Sequence, residues 1–296
     1  MTQASARLAT ELALSDAGRA RTRISVLRSG WPLMLRTTAL LAPTPVTAWA
    51  CRTADAARVH VAAGAAGPLG GDLLHLDVSV GPGSALVLGE IAPTLLLPGT
   101  YDDESRLDVR IHVGTDATLA WLPELVIAAQ GCRHVTDVRV VLERGARFVL
   151  REEVLFGRHG ESPGRYRQRV RVETEHGPVY DQELGAGPTA PGWDGPAITS
   201  GHRTAGTLLV ADPALTSGEV GHASLRDPDT AVMALPGAGG LLVSALAADT
   251  TTLRRRLDRA AAHLLTGTDQ QSPTAQAPDA TRVGQDQPRS GPARLP

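Results

Sequence analysis

A strand–turn–strand unit recurs three times in the middle of the chain, and this repeat most constrains what the sequence can fold into. The copies read LDVSVGPGSALVLGE from Leu76, VRIHVGTDATLAWLPE from Val109 and VRVVLERGARFVLREE from Val138. In each copy an alternating strand leads into a turn with glycine, then a second alternating strand and an acidic residue. The equivalent positions Val80, Val113 and Leu142 lie roughly 30 residues apart, a spacing typical of stacked repeats. The pattern predicts a mainly β body of stacked strand repeats, either β-helix-like or sandwich-like, and chance alternation in an Ala/Val/Leu-rich chain is the competing interpretation.

Two segments show the alternation especially clearly. In LLHLDVSV (73–80) the apolar side chains share one face and His75, Asp77 and Ser79 the other, as expected for a strand with one buried side. In RYRQRVRVET (165–174) four arginines lie opposite Tyr166, Gln168, Val170 and Val172. The arginine face fits either a solvated sheet surface or a surface that binds phosphate or carboxylate groups.

A helix is predicted near the end of the chain. After Ala248, DTTTLRRRLDRAAAHLL begins with an Asp/Thr N-cap signal and has apolar residues at helical spacing: Leu253, Leu257, Ala260, Ala261 and Leu264. We expect this short helical element to pack on the β body. The polar composition of 267–296 predicts a disordered tail, which leaves 1–266 as a single β-rich domain. Residues 186–202 are interpreted as a long loop or a partner-binding segment.

Composition and charge exclude several classes of protein. The 296 residues carry a net charge of −2, whereas nucleic-acid-binding domains are usually basic. No apolar run reaches the roughly 18 residues of a membrane span, and the N-terminal segment lacks the apolar run of a signal peptide. We therefore predict a cytoplasmic protein that binds neither nucleic acid nor membrane. Its two cysteines, Cys51 and Cys132, are expected to remain thiols.

The common catalytic and nucleotide-binding motifs are missing from the sequence. CxxC, HExxH, GxxxxGKS/T, GxGxxG and GxSxG do not occur, and none of the nine histidines stands in a recognisable catalytic constellation. The missing motifs favour a protein that works by holding partners, for which we expect no catalytic residues and no tightly bound cofactor.

Each repeat ends on carboxylates, which are Glu90, Glu124 and the pair Glu152/Glu153. If the units stack in register, these acids form a series along one edge of the stack or along the lining of a channel, as a route or transient site for a divalent metal. The alternative is that they are exposed, polar strand ends. Aligned carboxylates repel one another and need cations, arginines or water between them.

A second candidate metal feature is Cys132-Arg133-His134. A thiolate and an imidazole two residues apart on a strand share a face and suit Ni²⁺ or Zn²⁺, with His112 or His159 as a third ligand. The alternative without a metal is a buried thiol beside an exposed histidine. An alternative function follows from the same residues, namely a metal-dependent β-barrel enzyme that uses Cys132, His134 and nearby acids. A carbohydrate-binding β module is disfavoured because aromatic residues are scarce.

Several segments resemble one protein family. The segments GGDLLHLDVSVGPGSALVL, LAWLPELVIAAQGCRH, ARFVLREEVLFGRHGESPGRYRQRVRV and later GHRTAGTLLV look like those of the UreD/UreH family of urease accessory proteins, in the same order, over about residues 70–210. The sequence departs from the family's usual pattern at 90–94, where most members have Gln-x-x-x-Lys, and at Leu125, where most have Glu.

The resemblance implies a β-rich, non-enzymatic factor that matures urease. It implies binding of a helical accessory protein (UreF-like) and, through it, of a GTPase (UreG-like) on the urease apoprotein. That assembly delivers nickel, a transient cargo that is thought to pass through the UreD-like protein. By match, Asp72 is the acid of the Gly-Gly-Asp strand, Trp121 belongs to the Trp-Leu-Pro turn, and Arg158 belongs to the acid–Leu–Gly–Arg segment.

These inferences predict two sets of functional residues. The residues along the nickel route are Asp72, Glu90, Glu124, Cys132, His134, Glu152 and Glu153. The predicted partner contacts are Trp121, Arg158 and His159, the last two in a turn whose polar groups are expected to be exposed.

Overall fold

The computed structural model describes residues 1–15, 18–39, 43–215, 227–235 and 239–266, and within these ranges the chain forms seventeen strands and two helices. The strands are β1 (Gln3–Leu14), β2 (Ala20–Arg28), β3 (Leu33–Thr37), β4 (Ala57–Ala63), β5 (Leu73–Val80), β6 (Ala85–Glu90), β7 (Thr94–Leu96), β8 (Ser105–Val113), β9 (Thr118–Leu122), β10 (Val126–Ala128), β11 (Arg133–Leu142), β12 (Arg147–Phe156), β13 (Arg165–Thr174), β14 (Gly177–Ala186), β15 (Thr204–Ala211), β16 (Thr230–Leu235) and β17 (Gly240–Ala247). The helices are α1 (Pro45–Ala50) and α2 (Thr250–Thr266). The predicted disordered tail, 267–296, lies outside the described residues, and a single domain over 1–266 stays a prediction.

From β5 to β13, apart from the short β7 and β10, successive strands alternate between two sheets that face each other. The described strands of the first sheet have the order β14-β13-β11-β8-β5-β1-β2, and the second sheet has the order β16-β17-β15-β12-β9-β6-β4-β3. In the middle of each sheet the strands are parallel, because the chain crosses from one sheet to the other and back once per repeat. The short strand β10 pairs with the end of β12 on one side and with β7 on the other, which adds a short ladder beside the second sheet. The prediction of a mainly β body of stacked repeats is confirmed.

The register of the repeats agrees with the sequence pattern. Val80 lies opposite Val113, and Val113 lies opposite Leu142. Four residues earlier in these strands lies a second row, which crosses four strands and consists of Leu76, Val109, Val138 and Val170. All of these side chains are at most 5% exposed and fill the space between the sheets. Burial of one such side chain stabilises the fold by about 1.5–3 kcal/mol, so the rows hold the repeats in register.

Glycine is needed at the turns between the two sheets. A Cβ atom at Gly81 would lie 2.5 Å from the carbonyl oxygen of Thr10, and one at Gly145 would lie 1.9 Å from the carboxylate of Asp116. Gly145 also has a φ of +72°, which favours glycine. The repeated glycines of the sequence therefore mark positions where neighbouring chain segments pass too closely for a side chain.

The arginine face of β13 is covered by acids of its neighbour β14. Arg169 and Arg171 form ion pairs of 2.8 and 2.9 Å with Asp181, and Arg167 lies 3.6 Å from Glu183. These exposed pairs support the interpretation of a solvated sheet surface rather than a surface that binds phosphate or carboxylate groups.

Helix α2 covers the outer side of the second sheet, as its apolar stripe predicts. The side chain of Asp249 accepts a 2.8 Å hydrogen bond from the backbone of Thr252 and caps the helix. Leu253 and Leu257 are fully buried, and Gly206 on β15 makes room for them because a Cβ there would lie 2.8 Å from Leu257. Neither described helix is long and apolar enough to cross a membrane.

We expect Leu257→Ala to lower the free energy of unfolding by about 2–5 kcal/mol, because the change leaves a cavity between α2 and the second sheet. Arg259→Ala, on the exposed side of the same helix, should change it by less than about 0.5 kcal/mol. Urea denaturation followed by tryptophan fluorescence measures both. Equal effects of the two substitutions would contradict the packing of α2 on the sheet.

Candidate functional site

The neighbouring acids Glu152 and Glu153 point to opposite sides of the second sheet. On β12, Phe148 and Leu150 lie in the core between the sheets, whereas Val149 lies in the core under the helices. By the alternation of a strand, Glu152 faces the interior and Glu153 faces the helix side. The contacts agree, because Gln168 of the opposite sheet donates a hydrogen bond to Glu152 and Arg254 of α2 pairs with Glu153.

Glu90 and Glu152 occupy the same interior row, two strands apart. Gly89 lies opposite Leu122, and Trp121 lies opposite Leu150. Continued by one residue past Leu122, the same register places both Glu90 and Glu152 level with Pro123. Two strand spacings separate their backbones by about 10 Å, and the two carboxylates have different partners, Glu124 and Thr94 for Glu90, and Gln168 and Thr207 for Glu152. The predicted series of acids exists in part: two members line the interior, and Glu124 and Glu153 lie beside it.

Among the described residues, three neighbouring cavities form a row along the stack. The first has a volume of about 130 Å³ and is lined by Asp72 and Glu90, and the second, of about 60 Å³, includes both Glu90 and Glu152 in its wall. The third has a volume of about 140 Å³ and shares Glu152 and Gln168 with the second. Each interior carboxylate therefore lies at the junction of two cavities.

The two interior carboxylates have no arginine partner among the contacts of the described residues. Burial raises the pKa of Glu90 to about 7, partly offset by hydrogen bonds from the backbone of Glu124 (3.3 Å) and the hydroxyl of Thr94 (3.5 Å). Burial likewise raises the pKa of Glu152 to about 7, against hydrogen bonds from Thr207 and Gln168. Both groups therefore exchange a proton near neutral pH, where a divalent cation can replace that proton.

Glu124 and Glu153 are instead held by arginines. Arg254 of α2 lies 2.9 Å from Glu124 and also pairs with Glu153, which Arg151 approaches to 3.1 Å. The side chain of Glu153 is 1% exposed. Burial raises its pKa, and the charges of Arg151 and Arg254 lower it again. These two predicted route residues therefore carry their own counter-ions.

Asp72 is a buried acid that holds the chain start against the first cavity. It is 6% exposed, and its two oxygens accept hydrogen bonds from the backbone of Thr2 (2.7 Å) and of Leu69 (3.0 Å). Its carboxylate thus fastens the segment before β5, and it forms part of the wall of the first cavity.

Cys132 and His134 are both buried, but the structure does not bring them together as a metal site. The two imidazole nitrogens of His134 contact the hydroxyls of Ser105 (2.8 Å) and Thr136 (2.9 Å). Burial lowers the pKa of His134 to about 4 and raises that of Cys132 to about 11. The thiol packs in an apolar cluster with Phe156 and Tyr166. The expectation of an exposed histidine beside the thiol is also wrong.

The described part of the chain contains no group of three or more His, Cys, Asp and Glu residues arranged to hold a metal ion. Of the suggested third ligands, His112 is paired with Glu143 at 3.0 Å and His159 is exposed. The geometry gives no support to a metal-dependent enzyme built on Cys132 and His134, because such an enzyme needs converging ligands.

The structure corrects one of the three predicted partner contacts. Trp121 is 6% exposed and packs in the core between the sheets, so its ring is unavailable to a partner. Arg158 and His159 are exposed, as predicted, in the turn after β12. Arg158 is held there by Glu161 at 2.5 Å.

Sequence reasoning missed several residues of the cavity wall. The sequence does mark Gln168 as a candidate, because it is a polar residue on the buried face of an alternating strand. Nothing in the sequence marks Arg254, because it lies 130 positions from Glu124 and only the packing of α2 brings the two residues together.

Two comparisons relate the chain to known proteins. A sequence profile of the family described as UreD urease accessory protein matches residues 3–278. A protein of Streptomyces avermitilis named urease accessory protein UreD is 40% identical over 265 residues, which cover 89% of this chain and 100% of the relative. A protein of the same name from Streptomyces coelicolor is 42% identical over 264 residues, covering 88% and 96%. Another from Parafrankia sp. is 38% identical over 285 residues, covering 88% and 89%.

The raised pKa values of Glu90 and Glu152 make the stability of the fold depend on pH. Above pH 6.5 both carboxyls are already ionised in the unfolded chain, whereas the folded chain still binds their protons until the pH passes about 7. Stability must therefore fall as the pH rises, by about 1–2 kcal/mol between pH 6.5 and 8. The opposing contribution of His134, whose pKa is lowered to about 4, continues while the unfolded imidazole loses its proton around pH 6.5, and it offsets this fall by about 0.4 kcal/mol over the same range.

Urea denaturation at several pH values between 6.5 and 8 measures this dependence. The double substitution E90Q/E152Q should abolish the fall in stability, because glutamine does not titrate. Glu175→Gln, at an exposed position, should leave it unchanged. A stability that is flat over this range in the unsubstituted chain would contradict the raised pKa values.

Proposed function

Because the chain belongs to the UreD family of urease accessory proteins, we propose that it matures urease by taking part in the insertion of nickel into the apoenzyme. In this proposal it acts in the cytoplasm, in a complex with a helical accessory protein and a GTPase that meets the urease apoprotein. It serves there as a scaffold and as a conduit for nickel, which is a transient cargo rather than a bound cofactor.

The row of cavities with a carboxylate at each junction is the observation that carries the conduit. Glu90 joins the first cavity to the second, and Glu152 joins the second to the third. The remaining polar groups along this row include the hydroxyl of Thr94 and the amide of Gln168, which are oxygen ligands for a hydrated cation. This placement supports stepwise passage of a cation along the axis of the stack.

The arrangement suits transit better than storage. Each interior carboxylate is a single anionic ligand, and its strand lies about 10 Å from the strand that carries the next. A cation at either position keeps most of its water ligands and is bound weakly, so it can leave. Because each carboxyl has a pKa of about 7, arrival of the cation releases a proton and departure allows the proton to return.

The enzyme alternative has no observation in its favour. No described set of residues converges on a metal, and the relatives bear the name of an accessory protein. Cys132 and His134 therefore have structural roles in this proposal, as a packed thiol and as a neutral imidazole between two hydroxyls.

The conduit is tested with E90Q/E152Q in cells or in a reconstituted maturation mixture. We expect the nickel content of urease, measured by mass spectrometry of the purified enzyme, to fall about tenfold, since both anionic stations are lost. Copurification of the accessory complex should stay unchanged, because glutamine preserves the shape of each side chain.

The matched control is Glu175→Gln, which removes one carboxylate from the surface. Normal nickel content with E90Q/E152Q would reject the conduit and leave the scaffold intact. Fully active, nickel-loaded urease in cells that lack this protein would reject both.

A further inference from the structure

The wall of the second sheet is interrupted at one corner, beside the second cavity. β6 ends at Glu90 and the chain pairs again from Thr94, while β9 ends at Leu122 and pairing resumes at Val126. Between these strands the two repeats are joined by the carboxylate of Glu90, which accepts the backbone hydrogen bond of Glu124, and by a single backbone hydrogen bond from Thr94 to Leu125. The corner is therefore a place where side chains, rather than a strand ladder, separate the cavity from the helix layer.

Arg254 of helix α2 closes this corner. Its guanidinium bridges Glu124, which lies in the interruption, and Glu153, which lies on the adjoining uninterrupted strand β12. Both residues also line the second cavity. The helix is tied down beside this bridge by the 2.9 Å ion pair between Arg151 and Asp258.

We propose that Arg254 is a displaceable countercharge that plugs the side of the conduit, so that a divalent cation must replace its guanidinium to bind Glu124 and Glu153. This inference rests on the proposed nickel route and adds a residue that controls it. Arg254 acts through the two carboxylates and is a positioning residue.

Charge and burial favour displacement over permanent closure. The Arg254 side chain is 30% exposed and that of Glu124 is 28% exposed, so a shift of α2 can release the guanidinium to water. Glu153 is 1% exposed and keeps Arg151 as a second partner. When Arg254 leaves, Glu124, Glu153 and Asp258 carry a net charge of −2 with Arg151, which a divalent cation can compensate.

The same step would couple the conduit to the position of α2. Leu253 and Leu257, on either side of Arg254 in the sequence, are fully buried against the second sheet. When the guanidinium leaves, α2 loses its ion pairs to Glu124 and Glu153 and is held mainly by these leucines, so it opens more readily, and any partner that shifts the helix also opens the corner.

Nickel binding to the purified full-length chain tests the plug. Calorimetric titration with NiSO4 should give a dissociation constant about tenfold lower for Arg254→Gln than for the unsubstituted chain, because the competing charge is gone. Arg255→Gln removes the same charge from the exposed next position and should change the constant by less than about twofold. Arg254→Lys restores the charge and should return the constant to near its original value.

A second measurement uses the unsubstituted chain and so does not depend on the folding of a variant. Amide hydrogen exchange over 250–266 should become faster when Ni²⁺ is added and should not change with Mg²⁺ at equal ionic strength. Unchanged exchange at saturating Ni²⁺, an unchanged constant for Arg254→Gln, or an equal gain with Arg255→Gln would each overturn the plug.

The two proposals fail in different ways. If E90Q/E152Q abolishes Ni²⁺ binding while Arg254→Gln behaves like the unsubstituted chain, the plug is wrong and the conduit stands. If the unsubstituted chain and all variants fail to bind Ni²⁺, the conduit is rejected and the plug with it.

Discussion

The in-register stacking of parallel strands is the constraint on which the rest of this structure depends. Side chains alternate between the two faces of a strand, so a slip of one residue would turn every inward side chain outward. The apolar rows, such as Leu76–Val109–Val138, oppose that slip because each member is buried between the sheets. The same register places Glu90 and Glu152 in the interior and level with each other. Apolar packing thus positions the polar groups.

An interior made of aliphatic side chains must accommodate these acids, and it does so in two ways. Glu152 has no cationic partner among its contacts, and burial raises its pKa until the neutral form is populated near pH 7. One residue later, Glu153 points to the helix side and is compensated by Arg151 and Arg254. The difference comes from strand alternation alone. It separates a carboxyl that can exchange a proton for a cation from one that already has a counter-ion.

The repeats and the helix could be predicted from the sequence because both depend on local periodicity. The equivalence of Val80, Val113 and Leu142 and the buried stripe of α2 follow from spacing along the chain. The candidate site was harder to predict, since its contacts join distant segments. Cys132 and His134 have the spacing of a ligand pair, yet both nitrogens of the imidazole are hydrogen-bonded to hydroxyl groups, one of them on β8. Trp121 was expected at the surface, but the turn that carries it begins inside a buried strand.

The family and the geometry together explain why the site lacks the features of a metalloenzyme. A metalloenzyme holds its ion with three or more converging ligands, and such a site in a delivery protein would retain the cargo. Here the anionic ligands are separated by two strand spacings in the interior, and those that lie closer together are occupied by an arginine. In the proposed conduit, the cost of a bare divalent ion in an aliphatic interior is avoided because the ion keeps its water within the cavities. Weak, separated ligands are therefore the arrangement expected of a protein that passes nickel on, and the stack provides them by spacing one carboxylate per junction.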